Sequence, residues 1–284
     1  MNEPRILIID GNRAATREQQ VAAGGQPSGE GYLQMLQGLA AVAGDIVRPA
    51  DGEVRFPAGT GLADYDGVAM TGSALNVYDG GAHIERQIEL VRDVFASAVP
   101  FFGSCWGLQV AVTVAGGRVR RNPLGREFGF ARRIELNAAG RRHPMFTGKP
   151  PVFEAITVHL DAIELLPAGA LVLASNDMGL QAAELKHGPG TFWGVQYHPE
   201  YSYDEIAATA LRYGKGLLEE RLFATPGERD LFVAELRSLM HDPRDRRLTW
   251  KHGLGPSMQD ERLKAAELRN WLELQVEPRF RQRH

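Results

Sequence analysis

The sequence predicts an α/β protein, with a central sheet that begins parallel, turns mixed, and is followed by a helical C-terminal extension. Three observations carry this reading. Short apolar runs alternate with helical patterns as far as Cys105, strand-like segments follow one another closely from about Phe128, and helix-capping signals take over beyond Glu200.

Arg5 to Asp10 (RILIID) is a continuous apolar run ended by Asp-Gly, as expected of a strand buried on both faces of a parallel sheet. After the glycine-rich AAGGQPSGEG, Tyr32, Met35, Leu36 and Leu39 share one helical face, and Gly44 is the expected left-handed cap of that helix. DGVAMTG reads as a strand entering a loop, Ile84, Ile88, Val91 and Phe95 mark the next helix, and VPFFG is the strand that delivers Cys105. Each parallel connection must cross back over the sheet, so helices cover both faces and ligands gather at the carboxyl ends of the strands. FGFARRIEL, PVFEAITVHL, GALVLASN, LQAAELKHG and TFWGVQYHPE then follow with few helices between them. Antiparallel members are expected there.

Ser202 and Glu205 have capping-box spacing, and Thr225-Pro226-Gly227-Glu228 repeats the device with proline at the first helical position. Phe232, Leu236, Leu239 and Met240 form one apolar stripe; a later helix, after Ser257 to Asp260, carries Leu268, Trp271, Leu272 and Val276 on one face. These stripes are expected to pack on the sheet domain, the alternative being that they dock a partner. Residues 1–213 are thus expected to form the α/β domain and residues 214–284 a helical extension packed on it. PRDRR reads as a solvated charge cluster.

A chain of 284 residues with 44% hydrophobic and 24% charged residues affords a sizeable core. Its net charge of −3 provides no basic field for a phosphate backbone, so no nucleic-acid partner is expected. The single cysteine excludes an intramolecular disulfide. The apolar run in MNEPRILIID is too short for a signal-peptide core, and no run approaches the roughly 18 apolar residues of a membrane span. The expectation is a cytoplasmic protein with no membrane partner.

Gly103-Ser104-Cys105-Trp106-Gly107 sets that cysteine on a sharp strand-to-helix turn flanked by glycines, a nucleophile elbow. The turn exposes the sulfur above the sheet and beside a helix N-terminus, whose partial positive charge favours thiolate. A thiol with an ordinary pKa of about 8.5 is only slightly ionised at neutral pH, so a base is needed. Val195-Gln196-Tyr197-His198-Pro199-Glu200 supplies one: in an extended segment His198 and Glu200 point to the same side. The carboxylate then fixes the imidazole tautomer for the sulfur. Taken singly, a lone cysteine is more often a buried filler, a histidine a structural hydrogen-bonder and a carboxylate solvated. Their joint placement at strand ends points to nucleophile, base and orienter.

FFGSCWGLQ and GVQYHPE resemble the two signature segments of class I glutamine amidotransferases, over roughly Arg5 to Tyr213. TGS at Thr71 to Ser73, REFG at Arg126 to Gly129, HPMF, VHLDAIELLPAGA and LASND are further similar to the glutaminase domain of GMP synthase and its stand-alone relatives. The chain departs at Ser104, where many members carry an aliphatic residue, and at TGS, where GMP synthase usually has a Gly-Gly-Pro-like loop. The resemblance implies a flavodoxin-like class I glutamine amidotransferase fold with a mixed central sheet. It implies that Cys105 attacks the side-chain amide of L-glutamine, forms a γ-glutamyl thioester and releases ammonia and then glutamate. It also implies an oxyanion hole from the amides of Gly72 and Trp106, and substrate binding by Gln109, Phe128, Gly129 and His159.

His159 and Asp161, with His198 and Glu200, offer two imidazoles and two carboxylates to a metal, but VHLD already has its place in the resemblance, and no metal or other cofactor is expected. The Ser-Gly-Gly-rich phosphate loop of an ATP pyrophosphatase does not occur in the sequence, and GTGLAD lacks the dinucleotide fingerprint. A separate ammonia-accepting synthetase is therefore a possible partner. A γ-glutamyl hydrolase or peptidase using the same three residues is the alternative, and a non-catalytic regulatory or binding subunit the second alternative.

Overall fold

Arg5–Ile9 (β1), almost wholly buried, forms the strand that its apolar run demands, and the computed structural model describes residues 3–284 around it. The other strands are Ala43–Val47 (β2), Gly67–Met70 (β3), Phe101–Ser104 (β4), Arg118–Arg121 (β5), Glu127–Leu136 (β6), Val152–His159 (β7), Asp161–Leu165 (β8), Leu171–Asn176 (β9), Gly179–His187 (β10) and Gly190–Val195 (β11). Nine of them build one sheet in the order β2-β1-β3-β4-β11-β10-β9-β6-β7, while β5 and β8 pair in a small sheet of their own. The strands from β2 to β11 in that order are parallel and the pairings from β11 to β7 antiparallel. The sheet is mixed where the sequence changes character.

Helices Ala14–Ala22 (α1), Ser28–Leu39 (α2), Ala82–Ser97 (α3) and Trp106–Val114 (α4) belong to the sheet's first half. The α2 helix begins inside the glycine-rich stretch and ends at Leu39. Gly44 is not its cap. It lies in β2, where a Cβ would stand 2.5 Å from Leu33 Cδ1 and 3.1 Å from the Ile6 carbonyl oxygen. The glycine there lets α2 lie against the sheet edge.

Beyond the sheet come Tyr203–Glu219 (α5), Pro226–His241 (α6), Arg246–His252 (α7), Pro256–Gln259 (α8), Glu261–Lys264 (α9), Ala266–Trp271 (α10), a π-helical turn at Leu272–Val276, and Glu277–Arg283 (α11). The side chains of Ser202 and Thr225 accept from the amides of Glu205 and Glu228 at 3.1 and 3.2 Å, as their spacing predicts. The expected boundary between residues 213 and 214 falls inside α5. In α6, Leu236 and Leu239 are buried, but Met240 is 43% exposed and Val233 takes its place on the packed face.

One face of the sheet packs Ile6, Ile8, Phe102, Val195 and Tyr197 against α2 and against Leu268, Trp271, Leu272 and Val276. The other packs Leu7, Ile9, Met70 and Phe101 against α3 and α4. A third cluster joins Phe130, Ile156 and Val158 of the antiparallel region to α5, α6 and α7. A fully buried Lys149–Glu267 pair at 2.8 Å, with the Tyr197 hydroxyl on the same carboxylate, pins α10 to the sheet. Among the described residues no helix is long and apolar enough to cross a membrane.

Candidate active site

The adjacent parallel strands β4 and β11 run in register, Gly103 opposite Gly194 and Ser104 opposite Val195. Their carboxyl ends therefore emerge side by side. Cys105 follows β4 at once with φ 51° and ψ −98°, a left-handed conformation for a non-glycine residue, and opens α4. Such strain costs on the order of 1–3 kcal/mol and persists only where the surroundings enforce it. Here they do. The Cys105 amide donates to the Val195 carbonyl at 2.8 Å, and the flanking glycines admit the close approach: a Cβ on Gly103 would lie 2.8 Å from the backbone of Gly107, and one on Gly107 would lie 2.8 Å from the Met70 carbonyl oxygen.

His198 and Glu200 follow β11 in a turn closed by Tyr201 N–H donating to the His198 carbonyl at 3.3 Å, rather than in the extended segment expected from the sequence. The turn still joins them. His198 Nδ1 lies 2.7 Å from Glu200 Oε1, Tyr201 stacks on the imidazole at 4.1 Å between centroids, and the His198 amide donates to the Ile156 carbonyl at 2.8 Å. Burial alone disfavours the charged ring, but Glu200 and the Cys105 sulfur outweigh it and hold His198 up at about 10. Among the described residues its Nε2 is buried without a hydrogen-bond partner.

Gly72 and Trp106 border the same point. A Cβ on Gly72 would fall 2.5 Å from His198 Cε1, so only glycine lets the ring pass over this loop. Trp106 opens α4, and its amide is among those that a helix leaves without an intrahelical acceptor. Its indole is turned into the core, with Nε1 donating to Gln87 Oε1 at 2.7 Å. The backbone, not the ring, is what Trp106 offers the site.

A cavity of about 190 Å³ opens on Cys105 and is also lined by Gln109, His159, Arg126, Asp161, Asn76 and Tyr213, among others. Gln109 lies on the first turn of α4, its amide donating to the Cys105 carbonyl at 3.1 Å. His159 is fixed from both sides: Nδ1 donates to the Asp161 carbonyl at 2.8 Å and Nε2 pairs with Glu127 at 2.9 Å. Phe128 and Gly129 are not brought to the cavity. The Phe128 ring packs against Phe223 and Phe232, and Gly129, at φ 86°, faces Phe232. The four-ligand arrangement offered by His159, Asp161, His198 and Glu200 is not assembled either, since no group of three or more such side chains is placed to hold a metal among the described residues.

Three residues to which the sequence assigns no role lie beside these groups. Arg126 grips Glu220 with Nε and Nη2 at 2.7 and 3.1 Å and lies over the Tyr213 ring. Burial opposes its charge, but Glu220 more than restores it and raises the guanidinium above its ordinary value. Tyr78 donates to Asp161 Oδ1 at 2.8 Å, while burial pushes that carboxyl up. Ser104, fully buried, donates to Glu200 Oε2 at 2.9 Å. Arg126 stands at the head of REFG, the one signal in the sequence that points to it.

The sequence model described as Glutamine amidotransferase class-I matches residues 46–213. A γ-glutamyl-L-1-hydroxyisopropylamide hydrolase from a Pseudomonas species is 37% identical over 234 residues, 79% of this chain and 77% of that protein. The glutamine-hydrolysing GMP synthase of Streptomyces avermitilis is 31% identical over 160 residues, 56% of this chain but only 27% of the synthase. A glutamine amidotransferase structure from Thermotoga maritima aligns with a TM-score of 0.67 at 17% identity, covering 98% of this chain and 100% of that one. At that identity the likeness is one of fold.

Proposed function

The chain belongs to the class I glutamine amidotransferase family, and we propose from this that it hydrolyses γ-glutamyl amides, L-glutamine among them, through a thioester on Cys105. The observation that carries the reading is that Cys105, which lines a polar cavity, and the paired His198 and Glu200 follow the carboxyl ends of adjacent parallel strands, with the sulfur near enough to help raise the imidazole.

In this mechanism Cys105 Sγ bonds to the γ-carbonyl carbon while its proton rests on His198 Nε2. Glu200 accepts from Nδ1–H and offsets the imidazolium charge. The amides of Trp106 and Gly72 receive the negative oxygen of the tetrahedral intermediate. His198 then protonates the departing nitrogen, the C–N bond breaks, and the thioester remains. Water gives its proton to His198 and attacks the thioester carbonyl, and glutamate leaves as the sulfur is released. A ring held up at about 10 suits the imidazolium stage of each half-reaction.

The far end of a γ-glutamyl group is a zwitterion. Arg126 and Asp161 line the cavity with opposite charges, and we assign the guanidinium to the α-carboxylate and the Asp161 carboxylate to the α-ammonium. Gln109 and His159 bound the chain between.

The extent of the match to the γ-glutamylamide hydrolase favours an N-substituted amide as donor. The GMP synthase matches favour a second reading, in which ammonia from L-glutamine passes to a separate synthetase. Steady-state hydrolysis of L-glutamine and of a γ-glutamyl N-alkylamide by this chain alone tests the choice. A kcat/KM at least tenfold higher for the alkylamide supports the first reading. Turnover of L-glutamine only, raised by a synthetase, replaces it with the second.

A further inference from the structure

Glu200 has two carboxylate oxygens, and the pairing with His198 uses one. The other, Oε2, is buried with the rest of the side chain and accepts from Ser104 Oγ at 2.9 Å. Ser104 Oγ in turn lies 3.2 Å from the hydroxyl of Tyr32 on α2. Ser104 and Tyr32 are 0% and 1% exposed. Each hydroxyl has one hydrogen to give. A carboxylate only accepts, so the Ser104 hydrogen points to Glu200 and the Tyr32 hydrogen points to Ser104.

We infer that Tyr32 and Ser104 are positioning residues that hold Glu200 as an oriented acceptor, and through it fix the tautomer and aim of His198. The inference rests on the reading of Cys105, His198 and Glu200 as the reacting triad. The chain of donors has one direction: Tyr32 to Ser104 to Glu200, with His198 Nδ1–H donating to the same carboxylate from the other side. With Nδ1 committed to donation, the lone pair of a neutral ring lies on Nε2, toward the sulfur. Burial, with the charge of Glu200 beside it, holds the Tyr32 phenol well above its ordinary value, so the first donor keeps its hydrogen at any working pH.

The placement adds a mechanical argument. Ser104 is the last residue of β4 and the neighbour of the strained Cys105, while Glu200 belongs to the turn after β11. One hydrogen bond therefore ties the nucleophile's strand to the orienter of its base. Tyr32 brings in α2, so a helix remote in sequence from the elbow and from the base sets the carboxylate's rotation. An apolar residue at 104 would leave Glu200 Oε2 buried and without this donor.

The test compares wild type with Ser104→Ala, Ser104→Thr, Tyr32→Phe and Cys105→Ala in hydrolysis of L-glutamine and of a γ-glutamyl N-alkylamide, with thermal melts and the rate of Cys105 alkylation by iodoacetamide. Ser104→Ala is expected to lower kcat about 10- to 100-fold, the range of a misplaced general base, at a KM within about threefold of wild type, and to slow alkylation. Ser104→Thr, which keeps the hydroxyl, should recover at least tenfold over Ser104→Ala, and Tyr32→Phe should lower kcat severalfold with a melt close to wild type. Wild-type kcat and alkylation in Ser104→Ala, with Cys105→Ala inactive, overturn the relay and leave the triad standing. Full activity in Cys105→Ala overturns the triad itself. If Ser104→Ala does not fold, wild-type kcat in Tyr32→Phe overturns the relay as stated.

Discussion

His198 Nδ1 and Glu200 Oε1 stand 2.7 Å apart in a turn that leaves both side chains almost without solvent, at 1% and 3% exposure. An anion this close is the main reason that the imidazole holds its proton up to about pH 10 against the cost of burial.

Glu200→Gln removes that anion while keeping the shape. The alkaline limb of kcat/KM, which the raised His198 places near pH 10 in the free protein, should move to lower pH, and kcat should fall by roughly 10² to 10⁴. The same pair bears on folding. Since the folded ring holds its proton more tightly than the unfolded ring at 6.5, its contribution to stability is fully present below about pH 6.5 and is lost as pH rises through about 10. Melts from pH 6 to 10 should decline more steeply in wild type than in Glu200→Gln.

Gly72→Ala puts a methyl 2.5 Å from His198 Cε1. The ring must shift, and kcat should fall about 100-fold or more with a smaller change in KM, since displacement of about 1 Å at a reacting group costs on that order. Circular dichroism and melts would establish that the fold survives.

Arg126→Met should raise KM for a γ-glutamyl substrate about 10- to 100-fold, the value of a charge-assisted hydrogen bond, with a lesser effect on kcat. Substrates lacking the α-carboxylate should show little difference between the two proteins.

Trp271→Ala should cost about 3–5 kcal/mol, because the ring is fully buried against Phe102 and the sheet core. A single unfolding transition, shifted downward by urea titration, is expected. A separate early transition of the C-terminal helices with the sheet unchanged would contradict this account of their packing.

Much of the fold was legible where local pattern and tertiary role agree. The apolar runs of β1 and β4, the stripe of α3 and the caps at Ser202 and Thr225 each signal in sequence what they do in the structure. Elements held by distant partners gave no such signal. Helix α1 buries only Gln20, which binds Glu205, Thr209 and Arg212 of α5, so its stability is read from polar contacts nearly two hundred positions away. Gly44 reads as a cap in the sequence, whereas its need for space is set by Leu33 and Ile6 across the sheet edge, which local pattern does not reveal. At the candidate site, the glycine-flanked turn and the His-Pro-Glu spacing single out Cys105, His198 and Glu200, which the fold sets at the ends of adjacent strands. Ser104 and Arg126 are not singled out in this way, since their roles depend on Glu200 and Glu220, which folding brings beside them. Phe128 shares the REFG segment with Arg126, but its ring is taken up by Phe223 and Phe232, residues nearly a hundred positions away that the segment itself does not reveal.

Glutamate release from a γ-glutamyl substrate by Cys105→Ala, set beside wild type under identical conditions, decides whether the sulfur is the nucleophile. The thioester mechanism predicts that wild type turns over and that the alanine protein, equally folded, releases no glutamate above background. Release at the wild-type rate without the sulfur would contradict it.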